Sequence, residues 1–151
     1  IQTPKSDISL PSIISENDIE KLILEAQKNT TKDTELNHCI IELLYSTGMR
    51  VSELVSLSYQ SVNNLQDTVS IRGKGGKERI VVLTRSAKIA LSKWIKKRHT
   101  LSYAVSSQFL FPIKNKGHIS RQTVYNKIKT LAKKAGLNPS KTDIDFSKSK
   151  K

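Results

Sequence analysis

The apolar residues of this chain recur with a helical period over most of its length, and the period changes only once. Apolar residues at i, i+3 and i+4 predict four amphipathic helices and one short helix. We place them at residues 15–29, 36–48, 51–57, 87–95 and 120–136. Between residues 68 and 83 apolar and polar residues alternate instead, on either side of Gly73, Gly75 and Gly76, which predicts a β-hairpin. The expected fold class is mainly α with a small antiparallel β-hairpin or sheet, an α+β arrangement.

The length of 151 residues suits one domain with its own hydrophobic core. Residues 1–14 hold two prolines and no helical period, so we expect an extended linker there and a folded domain over residues 15–137. Residues 138–151 lack an apolar period and end in a Ser/Lys run, so we expect a disordered tail. The first residue is isoleucine, which suggests a processed chain or a piece of a longer one.

Composition excludes several classes of protein. Cys39 is the single cysteine, which excludes a disulfide framework and a cysteine-based zinc cluster within the chain. It falls in the apolar stripe of the second predicted helix, so we expect it in the core. No apolar run approaches the ~20 residues that cross a bilayer, and no signal-type segment opens the sequence. We therefore expect a soluble cytoplasmic protein with no metal centre and no membrane contact.

Positive charge is concentrated in the second half of the chain. The whole chain carries 26 Lys and Arg against 13 Asp and Glu, a net charge of +13. Residues 1–71 hold five basic and ten acidic side chains, whereas residues 72–151 hold 21 basic and three acidic ones. A solubilising face usually mixes both signs, so this distribution favours a polyanionic partner. The charge pattern predicts nucleic-acid binding by the C-terminal half.

The glycine-rich segment Gly-Lys-Gly-Gly-Lys at residues 73–77 first suggests a phosphate loop. A P-loop needs four residues between its first glycine and a Gly-Lys pair followed by Ser or Thr, and here Glu78 follows Lys77. The glycines fit a hairpin tip better, where Lys74 and Lys77 are free to approach a backbone phosphate. An ordinary turn with two solvated lysines explains the residue types equally well.

A second motif, Thr-Gly-Met-Arg-Val-Ser-Glu-Leu at residues 47–54, places Arg50 between a helix-ending glycine and the next helix. Its guanidinium fork suits a phosphate at that point. The alternative is a structural arginine that pairs with Glu53 or with a backbone carbonyl. The motif alone does not decide between them.

Three segments together resemble a known family. They are LLYSTGMRVSELVSLS at residues 43–58, IRGKGGKERIVVL at residues 71–83 and FLFPIKNKGHISRQTVYNKIKTLAKKAGL at residues 109–137. Their content, order and spacing resemble the catalytic domain of the tyrosine recombinases, the phage-integrase family, and its Xer-type members in particular. The resemblance runs from about Leu10 to Leu137.

The resemblance implies a chemistry. Family members break and rejoin DNA in site-specific recombination through a 3′-phosphotyrosyl intermediate, without a metal or nucleotide cofactor. Arg50 matches an arginine that stabilises charge at the scissile phosphate, and Lys74 matches the hairpin lysine that protonates the departing 5′ oxygen. We expect both to be catalytic residues. We also expect contacts with duplex DNA from a further set: Lys77, Arg79, Arg121, Gln122, Thr123 and Lys127.

The sequence departs from the family after the last predicted helix. The family continues there with a His-x-x-Arg motif, a later His or Trp and the nucleophilic tyrosine, whereas the last histidine, arginine and tyrosine here are His118, Arg121 and Tyr125. We expect an incomplete catalytic domain that binds DNA but is inactive alone, through truncation, frameshift or deliberate shortening. Family tetramers form on paired sites by exchanging a C-terminal segment, so we expect this chain to be a monomer.

Two other functions remain open. A non-catalytic remnant would occupy DNA without cutting it, in competition with an intact relative. A basic RNA-binding module, supported only by the charge of residues 72–151, would prefer single-stranded RNA to duplex DNA. Substitution of the missing nucleophile by Tyr45, Tyr59, Tyr103 or Tyr125 is the least favoured possibility, because none of these tyrosines stands at the family's position.

Overall fold

Residues 15–28, 31–62 and 65–137, which a computed structural model describes, fold into six α-helices and one two-stranded antiparallel sheet. The elements in chain order are α1 (Glu16–Gln27), α2 (Thr34–Thr47), α3 (Val51–Val55), β1 (Thr68–Arg72), β2 (Glu78–Val82), α4 (Arg85–Arg98), α5 (Ser102–Val105) and α6 (Arg121–Lys134). Short 3-10 turns lie at Tyr59–Ser61 and Lys74–Gly76. The predicted fold class is confirmed. The expected linker at residues 1–14 and the expected tail at residues 138–151 lie outside the described residues.

Hydrogen-bonding side chains begin the helices where the sequence predicts them. The hydroxyl of Ser15 accepts from the Asp18 N–H at the start of α1, and Ser120 accepts from the Thr123 N–H at the start of α6. Such caps satisfy N–H groups that a first helical turn leaves without a partner. The four-residue helix α5 is absent from the prediction, because a single turn carries too few apolar residues to show a period.

Helix α2 lies at the centre of the core, packed against α1 and α4 and in contact with α3 and α6. Its apolar stripe is almost inaccessible to solvent, with Cys39 and Leu43 both at most 1% exposed. The prediction of Cys39 as a core residue is confirmed. Burial, together with the charge of Glu42, raises the pKa of its thiol far above the ordinary value, so Cys39 is an inert apolar side chain.

The sheet packs one face on the core and exposes the other. In β1 the alternate residues Val69 and Ile71 are fully buried. Across the antiparallel register, Thr68 pairs with Val82 and Arg72 with Glu78, while Ile71 pairs with Arg79. Because side chains alternate along a strand, this register puts Arg79 on the inward face, at the edge of the core.

The segment that leads into α6 is held by two side chains of α4. Trp94 is 4% exposed, and its Nε1 donates to the Leu110 carbonyl at 3.0 Å. The buried Arg98 donates through Nη2 to the carbonyls of Ser107 and Phe109, and its guanidinium stacks over the Tyr59 ring. None of the helices in the described ranges has the length and apolar content needed to span a bilayer.

Candidate active site

The corner between α2 and α3 fixes the backbone of Arg50. Gly48 ends α2 in the left-handed conformation, at φ 68°, and its N–H donates to the Leu44 carbonyl. The Thr47 hydroxyl then accepts from the N–H of Met49, whose side chain is 3% exposed. A left-handed glycine followed by a buried anchor leaves little freedom at the next residue. Arg50 therefore enters α3 as its N-cap from a defined position.

Glu53, three residues into α3, bonds to the backbone of Arg50 and not to its guanidinium. The Arg50 N–H donates to Glu53 Oε1 at 2.9 Å, which satisfies one N–H group at the start of the helix. The Arg50 side chain is exposed and forms no ion pair among the described residues. The structure therefore does not contain the Arg50–Glu53 ion pair that the sequence left open as an alternative.

The hairpin tip presents Lys74 and Lys77 on a tight turn. The Gly73 N–H donates to the Lys77 carbonyl at 2.8 Å, and the Gly76 N–H donates to the Gly73 carbonyl at 3.1 Å. Gly75 and Gly76 have φ values of 75° and 76°, which side-chain-bearing residues rarely adopt. Both lysine side chains are exposed and form no ion pair within the described ranges.

One carboxylate joins the corner to the hairpin. Glu53 Oε1 accepts from Arg79 Nη2 at 3.2 Å as well as from the Arg50 N–H, and Arg79 Nη1 lies 3.5 Å from Glu53 Oε2. A Cβ atom on Gly73 would lie 3.1 Å from the same Oε2, so the start of the tip is close to this carboxylate. The structure thus brings Arg50, Gly73 and Arg79 together around Glu53, and Lys74 follows Gly73 directly.

The surroundings of Glu53 favour its charged form. Burial alone would raise the pKa of this carboxyl, but the Arg50 N–H, the Arg79 guanidinium and the positive charge of Arg50 hold it below its ordinary value. The Glu53 side chain is 10% exposed and that of Arg79 is 47% exposed, so the pair lies at the edge of the core. The sequence indicates Glu53 only as an alternative partner for Arg50, because the contact with Arg79, 26 residues away, has no local signal.

The four predicted DNA contacts on α6 do not share one face. Arg121 and Gln122 are exposed in the first turn, and Gln122 Nε2 donates to Asn126 Oδ1 along the helix. Thr123 and Lys127 point to the side that faces α1 and α2, where they line a groove of about 290 Å³. The Thr123 hydroxyl also bonds to the Ser120 hydroxyl within the helix cap.

Lys127 is engaged with an acidic partner. Its Nζ donates to Asp33 Oδ2 at 3.2 Å, and the side chain is only 17% exposed. A lysine in this position is less available to a phosphate than Arg121 or Gln122. The sequence predicts a DNA contact from Lys127, because its ion pair with Asp33, 94 residues away, leaves no signal in the local pattern.

Two of the four tyrosines form hydrogen bonds with other side chains. Burial, followed by the charge and hydrogen bond of Glu16, raises the pKa of the Tyr45 hydroxyl. The Tyr59 hydroxyl lies 3.2 Å from His99 Nε2, at the far end of α4. Among the described residues, no group of three His, Cys, Asp or Glu side chains is placed to hold a metal ion.

The arrangement has the parts of an anion site. Arg50 and Lys74 are two exposed cations whose backbones are fixed from either side of one carboxylate, and neither is neutralised by an ion pair within the described ranges. A guanidinium and an ammonium held in this way suit the oxygens of a phosphodiester.

Known proteins resemble this chain in sequence and in fold. Residues 12–147 match the sequence model of the phage integrase family, and the match continues beyond Leu137. The tyrosine recombinase XerD of Shewanella oneidensis is 36% identical over 138 residues, which cover 91% of this chain and 46% of that protein. The chain therefore spans about half the length of the curated relatives that it matches.

Solved recombinase structures share the fold. The crystal structure of XerA recombinase superposes with a TM-score of 0.72 at 25% identity, over 89% of this chain and 48% of that one. XerH, a site-specific recombinase solved in a pre-cleavage complex with its difH substrate, gives the same TM-score and identity, over 90% and 40% of the two chains. The sequence match, the XerD relative and these two folds confirm the resemblance found in the sequence, and the chain belongs to the phage integrase family, with similarity to its Xer-type tyrosine recombinases.

Proposed function

We propose that residues 15–137 are the part of a tyrosine-recombinase catalytic domain that binds duplex DNA and holds the scissile phosphate. Arg50 binds the phosphate oxygens, and Lys74 reaches the neighbouring 5′ oxygen as general acid. The observation that carries the proposal is the shared position of Arg50 and the Lys74 turn around Glu53. A random pair of surface cations would have no common support of this kind.

The charge of the chain and a solved structure with the same fold support duplex DNA as the partner. Residues 72–151 carry 21 basic and three acidic side chains, and a field of one sign attracts a phosphate backbone. XerH, which shares the fold at 25% identity, was solved with its difH substrate bound. Contacts from Lys77, Arg121, Gln122 and Thr123 belong to this proposal because these residues are exposed, whereas Lys127 is paired with Asp33.

Residues 1–151 are proposed to bind without forming a covalent bond to DNA. Covalent catalysis needs a nucleophile, and the sequence carries neither the family's His-x-x-Arg motif nor a tyrosine after Tyr125. We further propose that the polypeptide is a monomer in solution and acts in the cytoplasm. The linker at residues 1–14 and the tail at residues 138–151 remain predictions.

The proposal is tested by binding the polypeptide to random duplex DNA and to single-stranded RNA. Covalent capture on nicked duplex is scored in the same samples on a denaturing gel. We expect salt-sensitive duplex binding, weaker RNA binding and no covalent adduct. A preference for single-stranded RNA would contradict the proposal, and an adduct would show that one of the four tyrosines is a nucleophile.

The two catalytic roles need a chain that cleaves. In a version extended with the family's His-x-x-Arg motif and tyrosine, Arg50→Ala and Lys74→Ala should each abolish most of the cleavage. A leaving group that needs no proton should rescue Lys74→Ala but not Arg50→Ala. Intact cleavage in both variants would remove the assignment.

A further inference from the structure

Arg79 lies where the hairpin meets the corner before α3. It sits in β2, opposite the buried Ile71 of β1, on the inward face of the sheet. Its guanidinium reaches past the core edge to the Glu53 carboxylate, with Nη2 3.2 Å from Oε1 and Nη1 3.5 Å from Oε2. Two nitrogens that face two oxygens make a forked contact, which fixes orientation as well as distance.

The same carboxylate bonds to the residue that carries the phosphate-binding guanidinium. Glu53 Oε1 accepts from the Arg50 N–H at 2.9 Å, so a shift of this carboxylate alters the start of α3. The Glu53 side chain is only 10% exposed, which limits its access to water as an alternative partner. Arg79 is therefore connected to Arg50 through one side chain.

Gly73 connects the contact to the other cation. A Cβ at this position would lie 3.1 Å from Glu53 Oε2 and 3.3 Å from Arg79 Nη1, so the backbone passes directly against the ion pair. The Gly73 N–H closes the turn onto the Lys77 carbonyl, and Lys74 is the next residue. The start of the Lys74 turn thus lies close to both Glu53 and Arg79.

We propose that Arg79 is a positioning residue that sets the Lys74 turn against Arg50 through Glu53. This inference rests on the proposed function of Arg50 and Lys74 at one phosphate. It replaces the expectation that Arg79 itself contacts DNA, because the guanidinium already faces a carboxylate. A direct DNA contact would need the ion pair to break, which would leave a largely buried carboxylate without its cation.

The first test measures amide hydrogen exchange by NMR in the wild-type polypeptide, Arg79→Gln, Arg79→Lys and the matched control Arg85→Gln. Arg85 is an exposed arginine at the start of α4 that forms no ion pair within the described ranges. In Arg79→Gln we expect the amides of Gly73, Gly76 and Arg50 to exchange about fivefold faster, while α2 keeps its wild-type rates.

Rescue separates positioning from general stability. Arg79→Lys keeps the charge without the fork, so its exchange rates should lie between those of wild type and Arg79→Gln. Wild-type rates at Gly76 and Arg50 in Arg79→Gln would overturn the inference. So would equal acceleration in α2, because Arg79 would then stabilise the whole domain and not the site.

The second test asks whether the two cations still act together. Affinity for duplex DNA is measured for Arg50→Ala, Lys74→Ala and the double variant, first with Arg79 present and then in the Arg79→Gln background. With Arg79 present, the factor by which Lys74→Ala lowers the affinity should differ about threefold or more between chains that have Arg50 and chains that carry Arg50→Ala. In the Arg79→Gln background, the free-energy losses of the two substitutions should add. Equal coupling in both backgrounds would overturn the inference.

Failure of the proposed function has a different signature. If the wild-type polypeptide does not bind duplex DNA, the affinities of the variants cannot be compared and the proposed function is wrong. The exchange experiment requires no DNA, and by itself it shows whether Arg79 holds the turn and the Arg50 amide together.

Discussion

The site formed by Arg50 and the Lys74 turn and the helix α6 were both predicted to face DNA, and they are built in different ways. At the corner, cations from separate segments are fixed around Glu53, which is 10% exposed. On α6, the predicted contacts divide between two sides of one helix, and Lys127 is paired with Asp33, which is 46% exposed. A carboxylate shared at the edge of the core therefore fixes the positions of the neighbouring cations better than regular spacing along a helix does.

The largest effect should come from removing the charge of Glu53. Glu53→Gln loses the ionic contact with Arg79 and weakens the bond to the Arg50 N–H, so we expect the free energy of unfolding to fall by about 2 kcal/mol. The matched change on the other side, Asp33→Asn, breaks the more exposed pair with Lys127 and should cost about 0.5 kcal/mol. Urea denaturation measures both. Equal costs would remove the contrast between the two regions.

The effect of Glu53 should depend on pH. Its pKa is lower in the folded chain than in the unfolded one, so its contribution to stability is present above the unfolded pKa. That contribution is lost as the pH falls through the folded pKa. The difference in unfolding free energy between wild type and Glu53→Gln should therefore shrink in acid, and a constant difference from pH 7 to pH 3 would contradict this account.

A smaller effect is expected at Gly73. Gly73→Ala introduces a Cβ about 3.1 Å from Glu53 Oε2, and the carboxylate cannot yield without disturbing Arg79 or Arg50. We expect a loss of about 1 kcal/mol in the free energy of unfolding, from the crowding alone. In the Arg79→Gln background the same substitution should cost less, because Glu53 is then free to move. An equal cost in both backgrounds would show that the ion pair does not touch the turn.

The smallest effect should come from Lys127. Its ammonium is occupied by Asp33, so Lys127→Ala should leave the affinity for duplex DNA and its salt dependence nearly unchanged. Gln122→Ala and Arg121→Ala, on the exposed first turn, should weaken binding more. A larger loss from Lys127→Ala than from Arg121→Ala would restore the original prediction for this helix.

Local patterns predicted the elements but not the contacts between them. The helix starts at Ser15 and Ser120, the glycine that ends α2 and the burial of Cys39 all have signals within a few residues, and each is confirmed. The contacts of Glu53 with Arg79 and of Asp33 with Lys127 join segments 26 and 94 residues apart. Such contacts depend on how the elements pack, and no period in the sequence records them.

The site was predicted partly by residue type and partly by resemblance. The glycines of the hairpin tip and the glycine before Arg50 indicated two turns that carry cations, but the residues alone left both phosphate contacts open. The resemblance to the phage integrase family singled out Arg50 and Lys74. It did not indicate that Arg79, counted among the DNA contacts, would face a carboxylate.

The most direct test of the account is the salt dependence of duplex DNA binding by the double variant Arg50→Ala/Lys74→Ala. Its control is Arg85→Ala/Lys96→Ala, which removes the same charge from the exposed face of α4. We predict that the first pair lowers the slope of log affinity against log salt by about one for each cation, and that the control pair changes it much less. Equal slopes for the two double variants would mean that charge alone, and not the site around Glu53, holds the DNA.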